Sequence, residues 1–378
     1  MHTIPTDTAQ STQAARIPIE DPLQDKLVSF GGDGEPKSPR SMLQTLIEFE
    51  EEFGFEADSY SLGGNVQQVE EKFAEMLGKE AAVFMPTGTL ANHLAVRMLC
   101  GDKPRAIVQE QSHLYQDSGD CVARLSNINL LPLAKDRPHF TVEELKQAVE
   151  DSEQGRVLTP VGALMIESPV RRQDGKVVPF DEMRAITDYC RERGIGTHLD
   201  GARLYMMSGA TGISAKTYAS MFDTVYVSLY KYFGAPFGSV LAGTAQFCDG
   251  LYHDRRMFGG GLASANFSAA LALKGAEGFE ERFNAAIKRA TILFDKLNTL
   301  AGIHIGRIEN GSNIFPMDLS RDLDLDKFVK ILQEQSVSVS VGDPDTRRST
   351  LRVNTTILRQ DVETLFAAFR SALEGSRL

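Results

Sequence analysis

A single lysine, Lys231, closes a run of β-branched and aromatic residues (Val225, Tyr226, Val227) and opens a turn containing Gly234, Pro236 and Gly238. A second apolar run, Val240, Leu241 and Ala242, follows. The first run reads as a buried strand, and the glycines let the backbone pass close to another group. A lysine desolvated at a strand end loses pKa, and its amine becomes a nucleophile toward carbonyls. The plain alternative is a lysine that lays its stem along the strand and keeps its ammonium in water.

A second apolar run, over 194–206, carries Asp200. About thirty residues separate Asp200 from Lys231, room for a crossover helix and a return strand. The spacing predicts an acid and an amine at the carboxyl ends of neighbouring strands. Pyridoxal 5'-phosphate requires that pair. The lysine forms a Schiff base with its aldehyde, and the acid keeps the pyridine nitrogen protonated so that the ring accepts electrons. A third segment, 81–99, reads as a short strand, a Pro-Thr-Gly-Thr turn (86–89) and an amphipathic helix with Leu90, Leu94 and Met98 on one face. Thr87, Gly88 and Thr89 then lie at a helix N-terminus, where free N–H groups and the helix dipole favour a phosphate. Taken alone, such a turn is more often an ordinary N-cap.

The elements that position these residues alternate along the chain. Amphipathic helices are predicted over 41–53 and 65–77, the latter with Val66, Val69, Phe73 and Leu77 on its apolar face. A strand at 107–108 leads to His113. A helix over 141–149 opens with a capping box, Thr141 to Glu144. A strand over 161–166 ends at Glu167, and a helix follows over 180–193. Such alternation predicts an α/β fold with a mostly parallel sheet flanked by helices, and ligands bind at the carboxyl ends of such strands. Thr87, Gly88, His113, Glu167, Asp200 and Lys231 all fall at or near such ends. After the Gly-Gly-Gly at 259–261 the pattern changes. One long helix is expected over 266–300, then short strands near 304–308, 314–319, 337–341 and 351–353, with helices over 325–335 and 359–373. The division expected is an N-terminal arm over 1–27, a large domain over 28–265 and a smaller C-terminal α+β domain over 266–378.

The 378 residues carry a net charge of −11, which argues against nucleic acid or an anionic membrane as partner. The four cysteines (Cys100, Cys121, Cys190, Cys248) form no paired motif, which fits a reducing, cytoplasmic setting. No apolar run reaches membrane-spanning length. The first residues have no apolar h-region and do not read as a secretory signal.

The motifs GKEAAVFMPTG (78–88), PTGTLAN (86–92), HLDGAR (198–203), SLYKYFGAPFGS (228–239) and RRMFGGG (255–261) resemble, in order and spacing, the threonine aldolase / β-eliminating lyase family. These are pyridoxal-phosphate enzymes of fold type I, in the aspartate aminotransferase superfamily. The resemblance implies that Lys231 forms the internal aldimine and that Asp200 pairs with the pyridine nitrogen. His113 would stack on the ring and serve as acid or base. Gly88 and Thr89 would hold the phosphate, with Thr87, Glu167 and Ser228 nearby. Arg203 and Arg352 would grip the substrate carboxylate, with Asp33 and Tyr60 also toward the substrate. Arg255 and Arg256 match the family's basic residues that reach a neighbouring subunit's phosphate, so the resemblance implies a dimer or tetramer with shared active sites. Each of these has a plain alternative, such as a solvated Arg203 or Arg352 or a loop histidine at 113.

The chain departs from the family pattern where substrate binds. Gly32-Asp33-Gly34 stands for Ser-Asp-Thr, and Ala263 stands where an arginine is expected. Tyr230 replaces a serine before the lysine, and Glu167-Ser168-Pro169-Val170, then Arg171 and Arg172, replaces Glu-Asn-Thr-His. The family's histidine for the substrate hydroxyl is therefore missing, and His113, Tyr60 or a water must replace it. The activity implied is cleavage of a β-hydroxy-α-amino acid to glycine and an aldehyde. β-Elimination or β-replacement comes second, transamination third, and a non-catalytic binding protein last. Ser228-x-x-Lys231 also satisfies a serine acyl-enzyme pattern, but its partner motifs are absent.

Overall fold

The computed structural model describes residues 26–342 and 346–378, so the arm expected over 1–27 lies almost wholly outside the described residues. In chain order the strands are β1 (Val28–Ser29), β2 (Ala81–Met85), β3 (Arg105–Gln109), β4 (Asn129–Leu133), β5 (Val161–Glu167), β6 (Gly196–Asp200), β7 (Thr224–Ser228), β8 (Ser239–Gly243), β9 (Ile303–Ile305), β10 (Ile314–Leu319), β11 (Val337–Ser338) and β12 (Arg348–Arg352).

Seven of them form the principal sheet, in the order β2-β8-β7-β6-β5-β3-β4. The neighbours from β4 to β7 are parallel, and β8 is antiparallel to both β7 and β2. The reason is local: the short 229–238 turn that carries Lys231 is too brief for a crossover, so β8 must return antiparallel. Strands β5 and β7 are buried at every position, as expected where helices cover both faces. Strand β4, which the sequence reading missed, is an edge strand carrying Pro132, tolerated there because an edge needs fewer donors.

Helix α1 (Pro39–Phe53) starts at Ser38 with a reciprocal Ser38–Ser41 cap. Helix α2 (Gly64–Leu77) buries Val66, Val69, Phe73 and Leu77, the stripe its sequence period predicts. Helix α3 (Gly88–Cys100) follows β2. The long helix expected over 266–300 is instead two, α4 (Asn266–Ala276) and α5 (Phe279–Leu297). They break at Gly278, whose φ of +53° leaves the helical region.

Strands β9, β10 and β12 make a small antiparallel sheet, and β1 pairs in parallel with β11. Val28 and Phe30 therefore pack in the same apolar core as Phe294, Phe328 and Phe369, far along the chain. The sequence places residue 28 at the start of the large unit, whereas in the structure β1 pairs with β11. Helix α5 joins the two cores, with Phe279 and Phe283 in the sheet's core and Leu293 and Phe294 in the other. Among the described residues, no helix is long and apolar enough to cross a membrane.

Candidate active site

A cavity of about 540 Å³ opens at the carboxyl ends of the parallel strands. Its walls include Thr87, Gly88 and Thr89 from the start of α3, His113, Glu167, Asp200, Arg203 and Lys231. One cavity thus gathers most of the residues that the sequence singled out.

The start of α3 is free to take an anion. The Thr87 hydroxyl accepts from Leu90 N–H at 3.1 Å and its carbonyl accepts from Ala91 N–H. The amides of Gly88 and Thr89 are those left to the cavity. Gly88 is required by packing: a Cβ there would lie 2.0 Å from the Tyr226 hydroxyl.

Register across the sheet aligns the acids. Glu167 pairs with Asp200, and Asp200 with Tyr226, so two carboxylates end adjacent strands. Asp200 is buried. Its Oδ1 accepts from Ala202 N–H at 3.1 Å and its Oδ2 from Asn92 Nδ2 at 2.6 Å. Since the Asn92 amide nitrogen donates there, its Oδ1 must accept, and His198 Nε2 lies 2.9 Å from it. Nε2 therefore carries the proton, and His198 Nδ1 accepts from the Thr224 hydroxyl at 2.8 Å. Burial pushes His198 down to about 4, so the ring is neutral at physiological pH and this relay keeps one polarity. The sequence reading missed Asn92 and His198. The signal was present: His198 is two residues before Asp200, hence on the same face of β6, and Asn92 lies one helical turn into α3.

Glu167 binds differently. Its carboxylate accepts from His113 N–H at 2.5 Å and Arg171 N–H at 2.9 Å, tying the ends of β3 and β5 together. Burial, and then the Asp200 charge, raise its pKa. The His113 ring meets the Ser118 hydroxyl through Nδ1 at 3.3 Å. Lys231 Nζ sits 3.3 Å from Ser228 Oγ and 3.2 Å from Tyr230 Oη. Tyr230, noted in the sequence only as a departure, is thus a wall of the site. Gly34 explains another departure: a Cβ there would fall 2.3 Å from the Lys231 carbonyl, so the 32–34 loop presses on the lysine turn.

The substrate-side candidates separate. Arg203 is buried against Asp33, with Nε at 3.0 Å and Nη2 at 2.8 Å from Oδ2. Asp33 thus reaches the cavity only through Arg203. Arg352 is not among the lining residues; it ends β12 with its N–H on the Phe30 carbonyl. Tyr60 is 47 % exposed, outside the cavity, with the Arg256 guanidinium 4.2 Å above its ring. Arg255 corrects its expected role. It is 1 % exposed, and its Nη1 and Nη2 donate to the Phe84 and Ser61 carbonyls, so it is an internal strut that cannot reach another subunit. Val170, at the position of the family's histidine, is buried and bridges to Lys176 through the backbone.

The residues present fit pyridoxal phosphate. One cavity is lined by free amides, a buried carboxylate with acceptor capacity and an amine.

The beta-eliminating lyase family model matches residues 42–319, and the chain belongs to that family. A low-specificity L-threonine aldolase of Candida albicans is 34 % identical over 209 residues, covering 54 % of this chain and 55 % of the relative. The chain spans about half the length of that relative and of its Saccharomyces cerevisiae counterpart. A low-specificity L-threonine aldolase 1 of Arabidopsis thaliana is 24 % identical over 81 % of this chain and 86 % of its own length. A solved structure described as a putative L-allo-threonine aldolase from Listeria monocytogenes is 27 % identical, with a TM-score of 0.74. It covers 94 % of this chain and 98 % of its own.

Proposed function

We propose that this protein is a pyridoxal-phosphate-dependent aldehyde-lyase that splits a β-hydroxy-α-amino acid between Cα and Cβ into glycine and an aldehyde. The observation that carries the reading is Asp200, locked by Asn92, facing one cavity with Lys231 and the free amides of α3. The bound cofactor supplies an electron sink for the pair released when the bond breaks.

The chain's own residues do the rest. Lys231 would supply the amine that holds the cofactor, the Gly88 and Thr89 amides would hold its phosphate, and Asp200 would keep its ring nitrogen protonated. Arg203, oriented by Asp33, takes the substrate's α-carboxylate. His113 receives the β-hydroxyl proton, since Val170 offers no base. Tyr60 and Arg256, laced outward from their own cavity, serve a second copy's cavity in a homo-oligomer. The setting is cytoplasmic and the partner a small amino acid. The large unit holds the cofactor, and the C-terminal unit, through Arg352, flanks the substrate.

Val170 in the histidine position favours one second reading, β-elimination, in which Lys231 removes the Cα proton. Product analysis of the holoenzyme with L-threonine, L-phenylserine, L-serine and L-cysteine separates the two. Glycine with an aldehyde supports the aldolase; pyruvate with ammonia overturns it.

A further inference from the structure

Two guanidiniums converge on one carboxylate at the mouth of the cavity. Arg171 Nη2 meets Asp117 Oδ2, while Arg172 sets Nη2 2.6 Å from Oδ1 and Nε 3.2 Å from Oδ2. Those bonds, from Arg172 first, hold the Asp117 carboxyl down to about 2, so it stays ionised. One positive charge is left in excess. Arg171 and Asp117 line the cavity and Arg172 does not.

The Arg171 backbone is fixed by its N–H on Glu167, but its side chain is 45 % exposed. Arg171 can therefore leave Asp117 without stranding a charge, because Arg172 still holds that carboxylate. The remaining cationic side chains of the wall are engaged, Arg203 by Asp33 and Lys231 as the reactive amine.

Position decides what Arg171 meets. Gly88 packs on Tyr226 of β7, whereas Asp117 and Arg171 follow β3 and β5. Strand spacing alone puts about 10 Å or more between the two ends. The excess charge is thus at the end away from the phosphate amides, beside His113, the residue assigned above to the substrate's β-hydroxyl. A planar fork with one surplus charge suits a carboxylate.

We propose that Arg171 receives a carboxylate on the side chain of the substrate, so that the preferred substrates are acidic β-hydroxy-α-amino acids. This rests on the reading of the cavity given above.

The deciding measurement does not need cleavage. L-Aspartate and L-alanine are titrated into the holoenzyme, and each Kd is read from the cofactor's absorbance. We expect L-aspartate to bind about tenfold tighter or more, the size of one charge-assisted contact, with Arg171→Gln bringing the ratio to within about threefold of one. Asp117→Asn, which removes the competing carboxylate, widens the ratio. Equal affinities in the wild type, binding of neither ligand, or a preference that survives Arg171→Gln overturns the proposal. The kcat/KM values for L-threo-3-hydroxyaspartate and L-threonine then test the aldolase reading separately. Failure to cleave either while the aspartate preference holds sinks that reading and leaves the role of Arg171 standing.

Discussion

The two ends of the cavity are built by opposite means. Asp200 and the groups that orient it are buried and answer one another: Asn92 from α3, Ala202 N–H just past β6, His198 from β6 and Thr224 from β7. Around Asp117 the charges are partly exposed, stand outside the sheet and the long helices, and share partners. Buried networks are rigid because an unanswered group costs more than a bond gains. Exposed pairs are weak and exchangeable. The contrast matches the sequence, in which the residues that the family resemblance gives to the cofactor are kept and those it gives to the substrate are altered.

The largest break is Lys231→Ala. Turnover should fall by about four orders of magnitude or more, with an unchanged circular dichroism spectrum, because the chemistry rather than the fold depends on the amine. A variant still turning over at the wild-type rate sinks the assignment. Asn92→Leu removes the side-chain donor to Asp200 Oδ2 and should lower kcat by about 10- to 100-fold, the usual effect of removing a partner that orients a reactive group. The cofactor's absorbance should become pH-dependent in that variant, which lost packing alone does not produce.

His198 tests rigidity through pH. Its folded pKa of about 4 lies below the ordinary 6.5, so the unfolded chain binds the extra proton between those values. Its contribution is fully present above pH 6.5 and declines as pH falls toward 4, by about 3 kcal/mol. Denaturant unfolding of wild type against His198→Gln at several pH values isolates it. That difference cancels Glu70, which burial pushes up to about 7 and whose contribution runs the other way, lost as pH rises. A difference independent of pH overturns the neutral relay.

Gly88→Ala should cost about 1–3 kcal/mol and weaken cofactor binding, since Tyr226 must move. Tyr226→Phe in the same chain should restore part of it. The smallest effect belongs to the rim. Arg172→Gln should change stability by less than about 1 kcal/mol, because its partner Asp117 remains with Arg171. A large loss of stability there would erase the contrast between the ends.

Residues that act from strand ends were legible because period and position coincide: Lys231, Asp200, Glu167 and Gly88 each close or follow a buried run. Helix stops were legible where caps are local, as at Thr141 and Glu144. What escaped depends on contacts far along the chain. Arg255 matches a phosphate-binding residue by motif, yet it is buried on the carbonyls of Phe84 in β2 and of Ser61 in the turn before α2. The break at Gly278 escaped because the alanine-rich period continues across it. Strand β4 escaped because Pro132 reads as a breaker unless the strand is known to lie at the edge.

The amino-acid order by itself determined the alternation of strands and helices, the carboxyl-end placement of the reactive residues and the family to which the chain belongs, because these follow from local period and short motifs. Tertiary structure alone decided that Asn92 and His198 serve Asp200, that Asp33 holds Arg203, and that Arg171 rather than Arg172 faces the cavity. Those outcomes depend on distances between segments that only the packed sheet brings together.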